Sequence, residues 1–161
     1  MTIETGRCLI RRFEEKDLEP FMAYRNDEHW MRYQGFKGLT KPEYRKALLG
    51  ALDMDAGIQL AVTEKSTGDL LGDVYLKREF DAFWIGYTIS PLKSRQGYTF
   101  EAVGAVLGWI KGTDAQEILA STLPENTPSI SLLEKLGFEP AGKDEDDDLL
   151  FVMKLNGIKR K

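Results

Sequence analysis

Residues 82–102 read AFWIGYTISPLKSRQGYTFEA, and the change of period inside them decides the fold. Up to Ile89 the pattern has the two-residue period of a strand: Phe83, Ile85, Tyr87 and Ile89 share one face, and Trp84, Gly86 and Thr88 the other. From Phe100 the spacing becomes helical, with Phe100, Val103, Val106, Leu107 and Ile110 marking one face. Between strand and helix lies the polar loop LKSRQGYT, which carries Lys93 and Arg95, and no acidic residue occurs from Ala82 to Phe100. Free backbone N–H groups at a helix start, the helix dipole and two basic side chains together form an anion site. Gly97 lets the backbone come close to a phosphate with no Cβ in the way. Taken alone, a glycine-containing loop reads first as a solvated surface turn.

Working outward, IQLAVTE from Ile58 and LLGDVYL from Leu70 flank the turn Ser66-Thr67-Gly68-Asp69 as a hairpin, so three consecutive antiparallel strands end at Ile89. Upstream, RCLIRRF from Arg7 to Phe13 reads as a first strand. A helix follows, with Glu14, Glu15 and Asp17 at its N-terminus and Leu18, Phe21, Met22 and Arg25 at helical spacing, ending near Asn26-Asp27. Thr40, Pro42 and Glu43 make a capping box for a second helix running to about Leu52. Downstream, EILASTL from Glu117 is a strand, and a helix from about Asn126 buries Ile130, Leu133 and Leu136 and stops at Gly137. FEPAG and DLLFVMKL close the chain as two strands around the acidic turn Lys143 to Asp148. The order β-α-α-β-β-β-α-β-α-β-β predicts one α/β (α+β) domain over residues 1–161, a mixed, mostly antiparallel sheet of about seven strands flanked by about four helices.

Composition narrows the chemistry. The chain has 161 residues, 22 basic and 26 acidic, and 42% apolar, as expected of one globular domain. Cys8 and His29 are each the only residue of their kind, so an internal disulfide is impossible, a Cys/His metal site lacks ligands, and any histidine-based triad depends on His29 alone. The longest uncharged stretch, Ala82 to Leu92, is eleven residues, too short to span a membrane, and the start MTIETGRCLIRR lacks a signal-peptide core, which predicts a cytoplasmic protein. Net charge is +2 over residues 1–50, −2 over 51–100 and −4 over 101–161; only the tail Lys159-Arg160-Lys161 is densely basic, which argues against a nucleic-acid partner.

Four segments in order, RCLIRRFEEKDLEPFMAYRND, IGYTISP, SRQGYTFEA and ENTPSISLLEKLGF, resemble the GNAT superfamily of acetyl-CoA-dependent N-acetyltransferases, and within it the branch that acetylates ribosomal-protein N-termini. The resemblance covers nearly the whole chain. It implies that the loop Ser94, Arg95, Gln96, Gly97, Tyr98 and Thr99 cradles the pyrophosphate of coenzyme A. The family usually has Gln or Arg where this chain has Ser94, and Gly or Ala where it has Thr99. It also implies that the backbone at Thr88, Ile89 and Ser90 pairs with the pantetheine arm as an added strand would, with the N–H of Thr88 or Ile89 polarising the thioester. Asn126 corresponds to the asparagine that contacts the arm, and reads equally well as a helix N-cap.

The implied reaction is direct attack by an amine on the thioester, without metal or covalent enzyme intermediate. Ser129 matches the branch's helix serine and is the candidate to meet the leaving sulfur. Trp84 stands where the branch pattern puts a carboxylate, and Leu133 where some relatives have a tyrosine acid, which leaves Glu79, with Asp81, as a carboxylate acting through water or as an exposed turn residue. Trp30, Tyr33 and Phe36 form an acceptor wall or core packing; His29 beside them reads as a surface residue. The run Asp144 to Asp148 reads as a solvated hairpin tip or a lure for a cationic acceptor, and Cys8 as a buried small residue. The expectation is an acetyltransferase acting on a protein N-terminus or small amine; a non-catalytic acyl-CoA-binding or regulatory domain, motivated by Trp84 and Leu133, and a module for another phosphate are the alternatives.

Overall fold

A computed structural model describes residues 1–50 and 53–155 of the chain. In chain order its elements are β1 (Ile3–Glu4), β2 (Cys8–Arg12), α1 (Leu18–Arg25), α2 (Lys41–Leu49), β3 (Ile58–Glu64), β4 (Leu70–Glu79), β5 (Ala82–Ile89), α3 (Tyr98–Lys111), β6 (Glu117–Thr122), α4 (Thr127–Leu136), β7 (Glu139–Lys143) and β8 (Leu149–Lys154), with short 3-10 turns at Glu15–Asp17 and Pro91–Lys93. The expected order is therefore found, with one strand more, because Ile3 and Glu4 pair with Ile10 and Leu9. The expected end of the second helix near Leu52 and the basic tail lie outside the described residues.

The eight strands form one sheet in the order β1-β2-β3-β4-β5-β6-β8-β7. Neighbours are antiparallel except β5 and β6. β5 pairs with β4 along its whole length, from Glu79↔Ala82 to Gly72↔Ile89, but with β6 only at its base, from Ala82↔Glu117 to Trp84↔Leu119. From Ile85 to Ile89 the two central strands diverge, and a wedge opens in the middle of the sheet.

Each face of the sheet has its own core. On one, Val103, Val106, Leu107 and Ile110 of α3 and Leu133 of α4 pack on Ile10, Leu60, Val62, Val74, Leu76, Phe83, Ile85 and Ile118, with Cys8 fully buried among them. On the other, Leu18, Phe21 and Tyr24 of α1 and Tyr44 and Leu48 of α2 pack on Phe13, Ala61 and Leu70, with Phe21 edge-to-face against Phe13 and Tyr44. Each such side chain contributes roughly 1.5–3 kcal/mol by leaving water. Thr40 caps α2 through the Glu43 N–H while Glu43 returns a bond to the Thr40 N–H, the predicted capping box. One expectation fails: Phe100 is 39% exposed under Lys135, and α3 begins earlier, at Tyr98. The reason is Gly97, which at φ +82° turns the chain sharply enough for Tyr98 to be buried and start the apolar face itself.

Between sheet and α1 lies a buried charge. The Asp73 carboxylate accepts from the Tyr24 hydroxyl, from Arg25 Nη2 at 2.6 Å and from Gln59 Nε2 at 2.7 Å, with no side-chain exposure of its own. Arg25 Nη1 continues to the Phe36 carbonyl at 2.9 Å and so ties the segment after α1 to the sheet. Removing one partner of such a pair leaves the other charged and dry, so Asp73→Ala is expected to cost about 3–5 kcal/mol. Chemical denaturation checks this, and a loss below about 1 kcal/mol would show that water replaces the carboxylate.

Candidate active site

The wedge exposes backbone as well as space. Ser90 donates its N–H to the Leu71 carbonyl at 2.7 Å, and ladder alternation then turns the backbone groups of Gly86 and Thr88 toward β4 and those of Tyr87 and Ile89 away from it. The donors available to an extended ligand in the wedge are therefore those of Tyr87 and Ile89; of the two expected N–H groups, Thr88's is directed at β4. Gly72 is required here, because a Cβ on it would collide with the Thr88 carbonyl. The Ile89 carbonyl, also facing outward, accepts from Trp30 Nε1 at 2.8 Å.

Beyond Ile89 the chain passes through the Pro91–Lys93 turn into the glycine loop. Arg95 has φ +62° and Gly97 φ +82°, and this pair of left-handed residues curls the backbone so that the free N–H groups of the α3 N-terminus converge. Ser94 is spent on the loop itself, its hydroxyl donating to the Pro91 carbonyl at 3.1 Å. The Tyr98 ring turns inward, with its hydroxyl 3.1 Å from Glu64, so only its backbone can serve an anion. Arg95 and Gln96 are exposed, and Thr99 is half-buried in the first turn.

Glu101, one turn into α3, is an unwelcome charge beside a candidate anion site, and the chain neutralises it. Arg7 donates from Nε to Glu101 Oε1 at 2.7 Å and from its backbone to Oε2 at 2.9 Å, while the Thr5 hydroxyl also donates to Oε2. Partial burial raises the Glu101 pKa, but these bonds outweigh it and pull the group down to about 2. The same guanidinium donates from Nη1 to the Gln96 carbonyl at 3.0 Å and covers the Tyr98 ring at 4.2 Å, which fixes the loop to β2.

At the mouth of the wedge a crevice of about 100 Å³ is lined by Tyr33, Gln34, Gly86, Tyr87, Asn126, Ser129 and Asp148, among others. Asn126 caps α4 by accepting the Ser129 N–H at 3.3 Å, so the capping alternative is realised, and its Nδ2 is left for a second role in the crevice it lines. The Tyr87 hydroxyl lies 2.9 Å from Ser129 Oγ, and burial pushes its pKa up to about 12, so it stays a proton-bearing hydroxyl at neutral pH. A second cavity, of about 510 Å³, is lined by Arg25, Phe36, Leu48, Gln59 and Tyr75, among others, and shares Gln34, Gly86 and Tyr87 with the crevice.

Most of the expected residues are thus brought to one region, each with a separate task. Trp30 holds the end of β5, Tyr33 lines the crevice, and Phe36 lines the larger cavity while packing edge-on against Tyr44. Glu79 is not brought there. It lies at the base of β5, opposite Ala82, and accepts from Trp84 Nε1 at 3.1 Å beside Lys77. His29 is exposed, with its carbonyl accepting from Arg32 at 2.7 Å.

Two residues were missed. Tyr87 was read only as a member of an apolar strand face, although a tyrosine on such a face needs a hydroxyl partner. Asp148 was read as part of the hairpin tip. Asp144 takes that role, accepting the N–H groups of Asp146 and Asp148 at 2.9 and 3.0 Å. The next residue, Leu149, pairs with Thr122 at the end of β6, which carries Asp148 into the crevice. Partial burial, then Asp144, Asp146, Glu125 and Asp147, raise the Asp148 pKa above the usual carboxylate value. The only available signal was its place directly before an apolar strand.

Among the described residues no group of three or more His, Cys, Asp or Glu could hold a metal ion, and no helix is long and apolar enough to cross a membrane. Comparison with known proteins identifies the family. The acetyltransferase (GNAT) domain profile matches residues 7–139. An uncharacterized N-acetyltransferase, YnaD of Bacillus subtilis, is 30% identical over 145 residues, 88% of this chain and 85% of the relative. The [ribosomal protein uS5]-alanine N-acetyltransferase of Escherichia coli is 33% identical over 164 residues, 89% of this chain and 81% of the relative. Among solved structures, a GNAT-family acetyltransferase from Bacillus anthracis superposes with a TM-score of 0.84 at 26% identity, over 96% of this chain and 98% of that one. GNAT acetyltransferases draw their acetyl group from acetyl-CoA, and the matched profile, the curated relatives and the shared fold place this chain in that family of acetyl-transferring enzymes.

Proposed function

We propose that the protein transfers the acetyl group of acetyl-CoA to a primary amine, either a protein N-terminus or a small amine, by direct attack in the wedge. The observation that carries this reading is the meeting of a hydroxyl pair, Tyr87 and Ser129, and a carboxylate, Asp148, in one crevice that shares Gln34, Gly86 and Tyr87 with a second cavity. Three features fit the cosubstrate: the left-handed loop at Gly97 for the pyrophosphate, the outward N–H groups of Tyr87 and Ile89 for the arm, and the Asn126 amide beside it. When bound, acetyl-CoA supplies an activated acyl carbon and a thiolate leaving group.

The residues of the chain then handle protons and position. Asp148 accepts a proton from the incoming ammonium or amine, its raised pKa bringing it closer to neutrality than an ordinary aspartate. The nitrogen forms its bond to the acyl carbon as the carbon–sulfur bond breaks, and the Ser129 hydroxyl gives a proton to the departing sulfur. The second proton that the nitrogen releases as the amide forms returns to Ser129, whose Oγ the Tyr87 hydroxyl holds while keeping its own proton. Loop and strand donors hold charge that would otherwise need water. We place the enzyme in the cytoplasm, in keeping with its single buried thiol.

The non-catalytic reading loses its motive here. Trp84 and Leu133 lack proton-transfer groups, but Asp148 and Tyr87 bring a carboxylate and a phenol to the crevice from other positions. Calorimetric titration with acetyl-CoA and an amine screen read by thiol release test the proposal. Ser129→Ala is expected to lower kcat by about tenfold or more while acetyl-CoA affinity changes less than about twofold. Unchanged kcat would remove Ser129 from the reaction, and tight binding without turnover of any amine would favour the binder.

A further inference from the structure

The larger cavity has a chemistry of its own, and we infer from it that the acceptor is a primary amine carried on an uncharged, largely apolar body, an inference that rests on the acetyl-transfer reading above. Its volume, about 510 Å³, lies within the range of small-molecule sites. Phe36, Ala47, Leu48 and Tyr75 give it aromatic and aliphatic walls, and none of its lining residues is an acid.

The nearest carboxylate cannot serve a ligand. Asp73 has no exposed side-chain surface, and its oxygens are already occupied by Tyr24, Arg25 and Gln59. Arg25, which does line the cavity, is a cation with its Nε buried and unpartnered. A second positive charge on the acceptor would therefore lose water beside an Arg25–Asp73 pair whose charges already cancel and find no free counter-charge, a cost that apolar walls do not offset. Uncharged groups fare differently, since Gln34 and the remaining amide groups of Gln59 offer neutral hydrogen bonds.

The amine end has a separate place. Gly86, with Gln34 and Tyr87, lines both cavities and has no side chain to stand between them; a Cβ there would come no nearer than 3.6 Å to Tyr75. The reacting nitrogen is then placed in the crevice beside Asp148, the one acid among the described residues lining either cavity. One cation is thus accommodated, at the crevice, while the body occupies a space that accepts none. Simple alkyl or arylalkyl amines and peptides with an apolar N-terminal residue share this chemistry; diamines and polyamines do not.

The test pairs n-pentylamine with 1,5-diaminopentane, which differ chiefly in the second charge, at saturating acetyl-CoA. The monoamine is expected to have a kcat/KM at least about 20-fold higher. 2-Phenylethylamine and an amidated tripeptide beginning with phenylalanine, run alongside, tell a free amine from a peptide source by which is turned over more efficiently. Ala47→Glu places a carboxylate in the α2 wall and is expected to shift the ratio toward the diamine by about tenfold or more, whereas Ala47→Gln, similar in size, leaves it in place. Gln34→Glu repeats the test from the other wall should α2 not tolerate the first change. A diamine used as well as the monoamine, or a ratio unmoved by both carboxylates in folded protein, overturns the inference. No turnover of any apolar amine by protein that binds acetyl-CoA also overturns it and leaves the donor site standing, whereas failure to bind acetyl-CoA removes the reading beneath it.

Discussion

Gly97→Asp is expected to abolish acetyl-CoA binding, raising its Kd at least about 100-fold, an effect of roughly 3 kcal/mol or more. Two consequences of the same substitution act together. Any Cβ at this position occupies the ground beside Arg7 Nη2, 3.4 Å away, where the curled backbone is otherwise bare. The new carboxylate also puts a negative charge at the N-terminus of α3, where the convergent N–H groups would meet a doubly charged pyrophosphate. Aspartate is chosen because, with asparagine, it is the side-chain-bearing residue that the φ of +82° strains least. Gly97→Asn, nearly isosteric, separates the effects: it should weaken binding by about tenfold through bulk and local strain alone. Titration calorimetry with thermal unfolding as a folding control reads both variants. Normal affinity in Gly97→Asp would move the pyrophosphate away from this loop.

Asp148→Asn should lower kcat by about 100- to 1000-fold with little change in acetyl-CoA affinity, the usual range for losing a general base. The substitution keeps size and the turn held by Asp144, since that turn uses the Asp148 N–H and not its side chain. It also gives a pH signature. Because burial and the neighbouring acids raise the Asp148 pKa, the carboxylate is the active form and is lost as pH falls through that raised value. The wild-type kcat/KM should therefore rise with pH across a limb lying above the ordinary aspartate range, and the limb should vanish in the variant. Tyr87, with its pKa near 12, adds no descending limb below alkaline pH. A variant that keeps both its rate and its acidic limb would assign the proton to another group.

The local period of the chain carried most of the fold. Three strands, the hairpin at Ser66–Asp69, the capping box at Thr40 and the Gly137 terminus depend on neighbours within a few residues, and each stands as expected. Phe100 was misplaced because the left-handed turns at Arg95 and Gly97 set where α3 begins, and nothing in the identity of an arginine announces a positive φ. The places of the loop, Asn126 and Ser129 could be read from short motifs. The meeting of Asp148 and Tyr87 could not, since it arises where β5, β8 and α4 converge, and such distances are set by strand register rather than by spacing along the chain. Arg25 and Asp73 are a like case: a basic residue at a helical position and an acid within a strand, 48 positions apart, are each unremarkable until the sheet brings them together.

The divergence of β5 from β6 also answers a hazard common to all sheets. Unpaired strand backbone invites other chains to add themselves and so to aggregate, and proteins normally keep such backbone at guarded outer edges. Here the unpaired length from Ile85 to Ile89 lies between β4 and β6, inside the sheet. There β4 covers one side of the strand along its whole length and β6 closes its base, so a second polypeptide is not offered the full, open edge that strand addition needs. The chain thus keeps an adhesive edge available without presenting it at an outer border of the sheet.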